Sequence, residues 1–185
     1  MLLDNLSSQL TNHQSSDKKP ILPPVEQWDP PYCGEIDLQI KANGDWYYGG
    51  TIFKRLSLVK LFASVLIREV SEANDDYFLV TPVEKVKISV EDAPFMLTQW
   101  QWLDDDQTTM QGETNLGDTF VLNSEHALTM HADGSLYITV RRNLIAKVHR
   151  NVYYQWVDLA TETVTEQGTE LTFSSGQCQF SLGVL

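Results

Sequence analysis

Thr51-Ile52-Phe53-Lys54-Arg55 is where one sequence period gives way to another, and the reading of the fold turns on it. Before it, Glu35 to Lys41 alternates polar and apolar residues, with Ile36, Leu38 and Ile40 on one face. Asn43-Gly44 then supplies the two φ > 0 positions expected of a tight hairpin turn, and Asp45 to Thr51 is the returning strand, rich in aromatic residues. After it, Leu58, Leu61, Phe62, Val65 and Leu66 fall at helical spacing, which predicts an amphipathic helix over Ser57–Val70. Asn74-Asp75-Asp76 ends that run. Tyr77 to Val90 is strand-rich, with Pro82 at a bend or an edge.

Trp28-Asp29-Pro30-Pro31 leads into this unit and Glu91-Asp92-Ala93-Pro94 breaks it, giving a first α+β domain over residues 28–92. Upstream, residues 1–27 read as an appendage: Leu2, Leu3, Leu6 and Leu10 have the spacing of a short helix, and Pro20, Pro23 and Pro24 punctuate a linker. Downstream, residues 93–185 are mostly strands. Asp133-Gly134 marks a second hairpin, Val152, Trp156 and Leu159 predict a helix from Arg150 onward, and a last hairpin turns at Ser174-Ser175-Gly176.

The two halves share an order. IDLQIKANGDWYYGG (36–50) and ALTMHADGSLYITVR (127–141) both read as strand, Asx-Gly turn, strand. Setting Lys54-Arg55 on His149-Arg150 brings the helices into register, with Leu58, Leu61, Phe62 and Val65 on Tyr153, Trp156, Val157 and Ala160. A β-hairpin follows each helix. The fold class is therefore α+β, two related domains from an internal duplication, each built as hairpin, helix, hairpin.

Composition narrows the function classes. The chain has 185 residues, 42% of them hydrophobic, enough to bury one core or two small ones. A net charge of -12 predicts a soluble protein that repels nucleic acid polymers and anionic membranes. No basic n-region precedes an apolar run at the N-terminus, so no signal peptide is expected, and no apolar run reaches membrane-helix length. A cytoplasmic location with reduced thiols follows.

Against that acidic background, two windows hold no acid at all: Trp46 to Arg68, and Gly134 to Val157. They occupy the same place in the two repeats and hold Lys54, Arg55, Lys60, Arg68, Arg141, Arg142, Lys147 and Arg150. Lys54-Arg55 and His149-Arg150 fall at helix N-termini, where the macrodipole disfavours cations by a few tenths of a kcal/mol or more. A bound anion resolves that conflict, because free N–H groups flanked by Arg or Lys make a phosphate or carboxylate site. If both helix starts converge on an interdomain cleft, Arg55 and Arg150 are the first anion contacts, followed by Lys54, Arg142 and Lys85. Trp46 and Tyr48 would be walls, and Glu84 would orient Arg55. The competing reading has these cations paired with Glu84, Glu91, Asp92 or other acids in interdomain salt bridges.

Other chemistry has less support. Cys33 lacks a Cys-His-Asn pattern and reads as a buried structural thiol. His13, His126, His131 and His149 show no metal spacing, and no phosphate-loop, dinucleotide or nucleophile-elbow string occurs, so neither metal nor cofactor is expected. Trp100, Trp102 and Trp156 are core candidates, though exposed aromatic strands of the second domain would suit a protein partner. An enzyme using Cys33 or Glu84 ranks last.

WDPPYCGEIDLQI (28–40), the NGDWYY turn, GTIFKRLSLVKLF (50–62) and YFLVTPVEKVKISVEDAPF (77–95) together resemble the proteobacterial domain-of-unknown-function family 1285. The likeness extends weakly through RRNLIAKVHRNVYYQWVDLA (141–160) and SSGQCQFSLG (174–183). Ile52 and Leu56 stand where that family tends to have proline, Phe53 where it tends to have isoleucine, and Asn43 replaces its usual aspartate. The resemblance implies a duplicated fold whose second domain is superficially like pleckstrin-homology domains. It also implies a nucleotide-like ligand site at the domain interface and a role in signalling. No activity comes with it. The leading expectation is a non-enzymatic sensor or adaptor for a small anionic ligand, and the alternative is a protein-interaction module.

Overall fold

In the computed structural model, residues 22–72, 74–166 and 168–184 are described. The helix expected over Leu2–Leu10 lies outside them. The chain divides between Glu91 and Asp92 into two compact units, both mostly β with one helix each.

The first unit opens with a single 3-10 turn, Val25–Gln27, that buries Val25. It continues as β1 (Tyr32–Ile40), β2 (Trp46–Tyr48), β3 (Thr51–Ile52), α1 (Leu56–Ser64), β4 (Leu66–Val70), β5 (Asp75–Val80) and β6 (Lys85–Val90). These strands make one six-stranded sheet in the order β3-β2-β1-β6-β5-β4. All neighbours are antiparallel except β1 and β6, which run parallel and join the meander before the helix to the one after it. Leu38, Ile40, Phe62, Val65, Leu66, Leu79 and Val86 are fully buried at its centre.

Three local expectations need correction. The helix stops at Ser64, not Val70: Ser64 Oγ turns back to donate to Leu61 O at 2.6 Å, and Val65 leaves helical geometry. Leu66–Val70 then gains more as a strand in register with β5, which suits its β-branched residues. Asp45 to Thr51 is two strands, folded at Gly49-Gly50, both with positive φ. Of Asn43 and Gly44, only Gly44 has positive φ (84°), because the turn is longer than two residues. It closes through Lys41 N to Asp45 O (2.9 Å) and Gly44 N to Lys41 O (2.8 Å), with Asn43 Oδ1 accepting from Asp45 N.

The second unit runs β7 (Phe95–Trp102), β8 (Met110–Thr114), β9 (Thr119–Val121), β10 (Leu128–Met130), β11 (Leu136–Arg141), β12 (Leu144–Val148), α2 (Arg150–Leu159), β13 (Thr161–Thr165), β14 (Gly168–Ser175) and β15 (Cys178–Val184). From β10 on, the order strand-strand-strand-helix-strand-strand-strand repeats that of the first unit. Each helix leads into a three-stranded meander, one strand more than the hairpin expected. β7, β8 and β9 form an extra meander, joined through β7 to β12 in parallel, so the six-stranded sheet here is β10-β11-β12-β7-β8-β9. The meander after the helix stays separate as β13-β14-β15. Phe173 of β14 packs against Trp156 (4.8 Å between ring centroids) and Phe180 of β15 against Phe173 (5.3 Å).

The helix register shifts by one residue. The N-caps are Arg55 and His149, so aligning cap on cap sets Phe62 on Trp156, the two fully buried aromatics of the helices. Pairing the basic dipeptides instead sets Leu61 on Trp156.

Candidate functional site

Each end of the first sheet can be assigned from its register. Phe53 N donates to Trp46 O, Trp46 pairs with Ile40, and Glu91 N donates to Ile40 O, so these residues share one end. Val80 N donates to Val65 O, Thr81 N to Glu84 O and Lys85 N to Pro31 O, which fixes the other end. α1 runs from the first end to the second. Its nine residues span about 14 Å.

This geometry sorts the basic residues. Lys54 and Arg55 sit at the start of α1, both exposed. Arg55 is the N-cap in extended conformation with no capping side chain, and the first turn holds no acid. The leading amides of this helix therefore lack the acceptor that Ser, Thr, Asp or Asn would give them. Tyr48 lies beside this end, 39% exposed, its ring 6.3 Å from that of Phe53, which in turn meets Phe62 at 6.0 Å.

Glu84 and Lys85 belong to the far end, a helix length away, so Glu84 does not orient Arg55. Lys85 is engaged there by Glu69 (2.6 Å) and by the Phe78 ring (4.2 Å). Glu84 Oε1 is buried with no hydrogen-bond partner among the described residues. Trp46 is no wall either: it is 2% exposed and its indole nitrogen is enclosed. In the second unit, Arg150 is the first residue of α2 and exposed, whereas Arg142 occupies the β11–β12 turn with φ 53°. Five residues of β12 separate them, about 16 Å of strand. The His149 Nδ1 caps α2 by accepting from Asn151 N at 3.2 Å.

Ion pairing then separates two classes of cation. Lys41 binds Glu91, Arg68 binds Asp75, Lys85 binds Glu69, Lys87 binds Asp76, Arg141 binds Asp118 and Lys147 binds Asp92. No ion pair or side-chain hydrogen bond is found among the described residues for Lys54, Arg55, Lys60 or Arg150. Lys60, exposed on α1, was legible in the sequence only as a member of the acid-free window.

Of the carboxylates offered as salt-bridge partners for the helix starts, Glu84 lies at the far end of the sheet, and Glu91 and Asp92 are engaged elsewhere. Glu91 accepts from Lys41 Nζ at 2.6 Å and from Ala42 N at 3.1 Å, and these bonds hold its carboxyl below the usual range. Asp92 accepts from Tyr137 Oη and Lys147 Nζ, each at 2.6 Å. The bond to Asp92 raises Lys147, and burial followed by the same carboxylate raises Tyr137.

Cys33 is exposed, not buried as expected, because Tyr32-Cys33-Gly34 opens β1 before the strand enters the core. Trp100 is half-buried and donates to Gln155 Oε1 at 2.7 Å, tying β7 to α2. An open pocket of about 360 Å³ lies in the second unit between Asn123–Leu128 and Cys178–Phe180, lined also by Ser124 and His126. None of the anion candidates lines it. No helix among the described residues is long and apolar enough to cross a membrane.

Two family models match the chain: the N-terminal domain of DUF1285, a domain of unknown function, over residues 23–93, and the C-terminal domain of DUF1285 over residues 94–182. A crystal structure of a DUF1285 family protein from Silicibacter pomeroyi DSS-3 superposes with a TM-score of 0.76 at 32% identity, covering 92% of each chain. One from Shewanella baltica OS155 gives a TM-score of 0.53, also at 32% identity, over 66% of this chain and 91% of its own. No curated protein matches significantly.

Proposed function

The chain belongs to the DUF1285 family, and we propose that it is a non-enzymatic sensor or adaptor whose ligand is a small anion, bound first by Lys54 and Arg55 at the start of α1. One observation carries this reading. Six other cations of the described chain are neutralised by a carboxylate, whereas Lys54, Arg55, Lys60 and Arg150, for which no ion pair is found among the described residues, all lie on helices or at their starts. Unpaired cations against the positive end of a helix dipole cost stability, and an anion removes that cost while accepting from the free amides. Tyr48 and Phe53 supply an aromatic flank, which suits a phosphorylated ligand with a flat ring, such as a nucleotide. Arg150 offers a second contact of the same kind on α2, weaker because His149 already satisfies one amide there. Arg142 and Lys85 drop out of the set.

A signalling role in the cytoplasm accords with ligand capture without catalytic machinery. We read the duplicated architecture as α+β, with the second unit pleckstrin-homology-like in outline.

A thermal-shift screen against nucleotides, phosphorylated metabolites and carboxylates tests the ligand. At one hundred times its dissociation constant, a ligand stabilises by about 2.7 kcal/mol. That corresponds to a rise of roughly 5–10 °C for a chain of this size. The shift is expected to vanish in Lys54→Ala/Arg55→Ala with the unliganded melting point unchanged or raised. A shift that survives in that folded variant would move the site away from α1.

A further inference from the structure

The edge strands of this protein are protected unequally. β3 has two residues, and β9 and β10 three each, too short to template another chain. β4 keeps its first three residues at least partly covered, and β15 is bulged against β14. β13 has none of these defences. All five of its residues, Thr161-Glu162-Thr163-Val164-Thr165, are exposed, and Val164 is 87% exposed. It pairs with β14 in unbroken register, Thr161 with Thr172 through Thr165 with Gly168. It carries no proline, lysine or bulge.

Register fixes which groups are free. Thr165 and Gly168 flank the turn as a hydrogen-bonded pair, so Thr163 and Thr161 also bond inward to β14. The N–H and C=O groups of Glu162 and Val164 therefore point outward from the sheet edge. Glu162 and Val164 lie on one face, with Glu166 just beyond, and Glu170 stands opposite Thr163 on the other. From Asn151 to Leu185 there is no Lys, Arg or His.

We infer that β13 is a docking edge for an extended segment of a partner protein that presents lysine or arginine at alternate positions. Backbone pairing with Glu162 and Val164 would extend the three-stranded sheet by one strand, covering Val164. The basic side chains would meet Glu162 and Glu166, in a stretch of chain, 151–185, whose sequence contains no cation. A second copy of β13 is the poorer occupant, because it brings acid to acid. The inference uses no residue of α1 and stands apart from the anion reading.

A fluorescein-labelled heptapeptide of alternating lysine and valine is the probe, with binding read by fluorescence anisotropy at low and physiological salt. It is expected to bind, to protect the amides of Glu162 and Val164 from exchange, and to lose at least tenfold in affinity in Val164→Pro. Proline there removes an outward donor and leaves the β13–β14 ladder intact. Glu162→Lys/Glu166→Lys is expected to lose as much without altering any backbone group, and serves if the proline variant does not fold. A glutamate-valine peptide is expected not to bind. Absence of binding by the lysine peptide, equal binding to both variants, or sedimentation showing that the chain pairs with itself through β13 would each overturn the inference.

Discussion

The two units contain the same element order and close their sheets differently. Around the Asx-Gly turn they agree nearly atom for atom. Lys41 N to Asp45 O and His131 N to Ser135 O close the loop at 2.9 and 2.8 Å. Gly44 and Gly134 return to Lys41 O and His131 O at 2.8 and 2.9 Å, and Asn43 and Asp133 accept from the amide two residues on. Away from the turn they part. In the first unit β1 pairs with β6 and unites the two meanders. The counterparts β10 and β15 lie side by side unpaired, with Met130 against Gly183, while β12 pairs instead with the extra strand β7. Local chemistry survived the duplication because few residues specify it. Sheet closure did not: the extra meander extends the sheet from the opposite side, at β12, and the β10 edge that corresponds to the β1 edge taken by β6 stays unpaired.

The largest expected effect tests the corrected helix register. Phe62→Ala and Trp156→Ala remove equivalent, fully buried rings, and each is expected to cost about 3–5 kcal/mol. Amide exchange should show each loss concentrated in its own unit. If Leu61→Ala, half-buried in α1, matched them, the one-residue shift would be wrong.

Next come the turn glycines, both with positive φ, 84° at Gly44 and 80° at Gly134. Alanine at either position is expected to destabilise by about 1–2 kcal/mol through backbone strain. Nothing stands within 4 Å of a Cβ at Gly134, so strain alone acts there. Urea midpoints shifted unequally would break the equivalence of the turns.

The helix caps should respond with opposite signs. His149→Ala removes the side chain that caps α2 and is expected to lose about 0.5–1 kcal/mol. Arg55→Ser supplies the cap that α1 lacks and is expected to gain up to about 1 kcal/mol while abolishing the thermal shift by ligand. Chemical denaturation with and without ligand reads both. A destabilised Arg55→Ser would mean that Arg55 serves the fold.

The smallest effect contrasts the residues at the junction. Glu91 is depressed by Lys41, so its contribution is present above its unfolded value, near 4.5, and fades as pH falls through the lower folded one. Lys147 and Tyr137 are raised, so theirs is complete below their unfolded values, near 10, and fades as pH climbs through the folded ones. The protection of the Ala42 amide, measured against the intrinsic exchange rate at each pH, should fall in acid, and Tyr137 should ionise late in an ultraviolet titration. Asp92→Asn is expected to bring that ionisation earlier; a Tyr137 that stays equally late in the variant would assign its shift to burial alone.

Turns, strand alternation and the acid-free windows were legible because each depends on a few neighbouring residues and on side-chain type. Asn43-Gly44, Asp133-Gly134 and the basic helix starts at Arg55 and Arg150 belong to that class, whereas the sequence leaves open whether those cations are paired, because an acid distant in sequence could reach them. The end of α1 was less legible. Val65 to Val70 continues an apolar pattern that suits either helix or strand, and only the presence of β5 alongside decides for the strand. Glu84 and Lys85 looked like neighbours of Arg55 because sequence distance does not reveal which end of a sheet a residue occupies. Parallel pairing of β1 with β6 places them a helix length apart. The sequence by itself thus determined the repeated motif, its turns and the charge at each helix start, all set by short-range physics. Only the tertiary structure decided which strands pair across the meanders and which cations keep an open flank, because both depend on which long-range partner reaches an edge or a charge first.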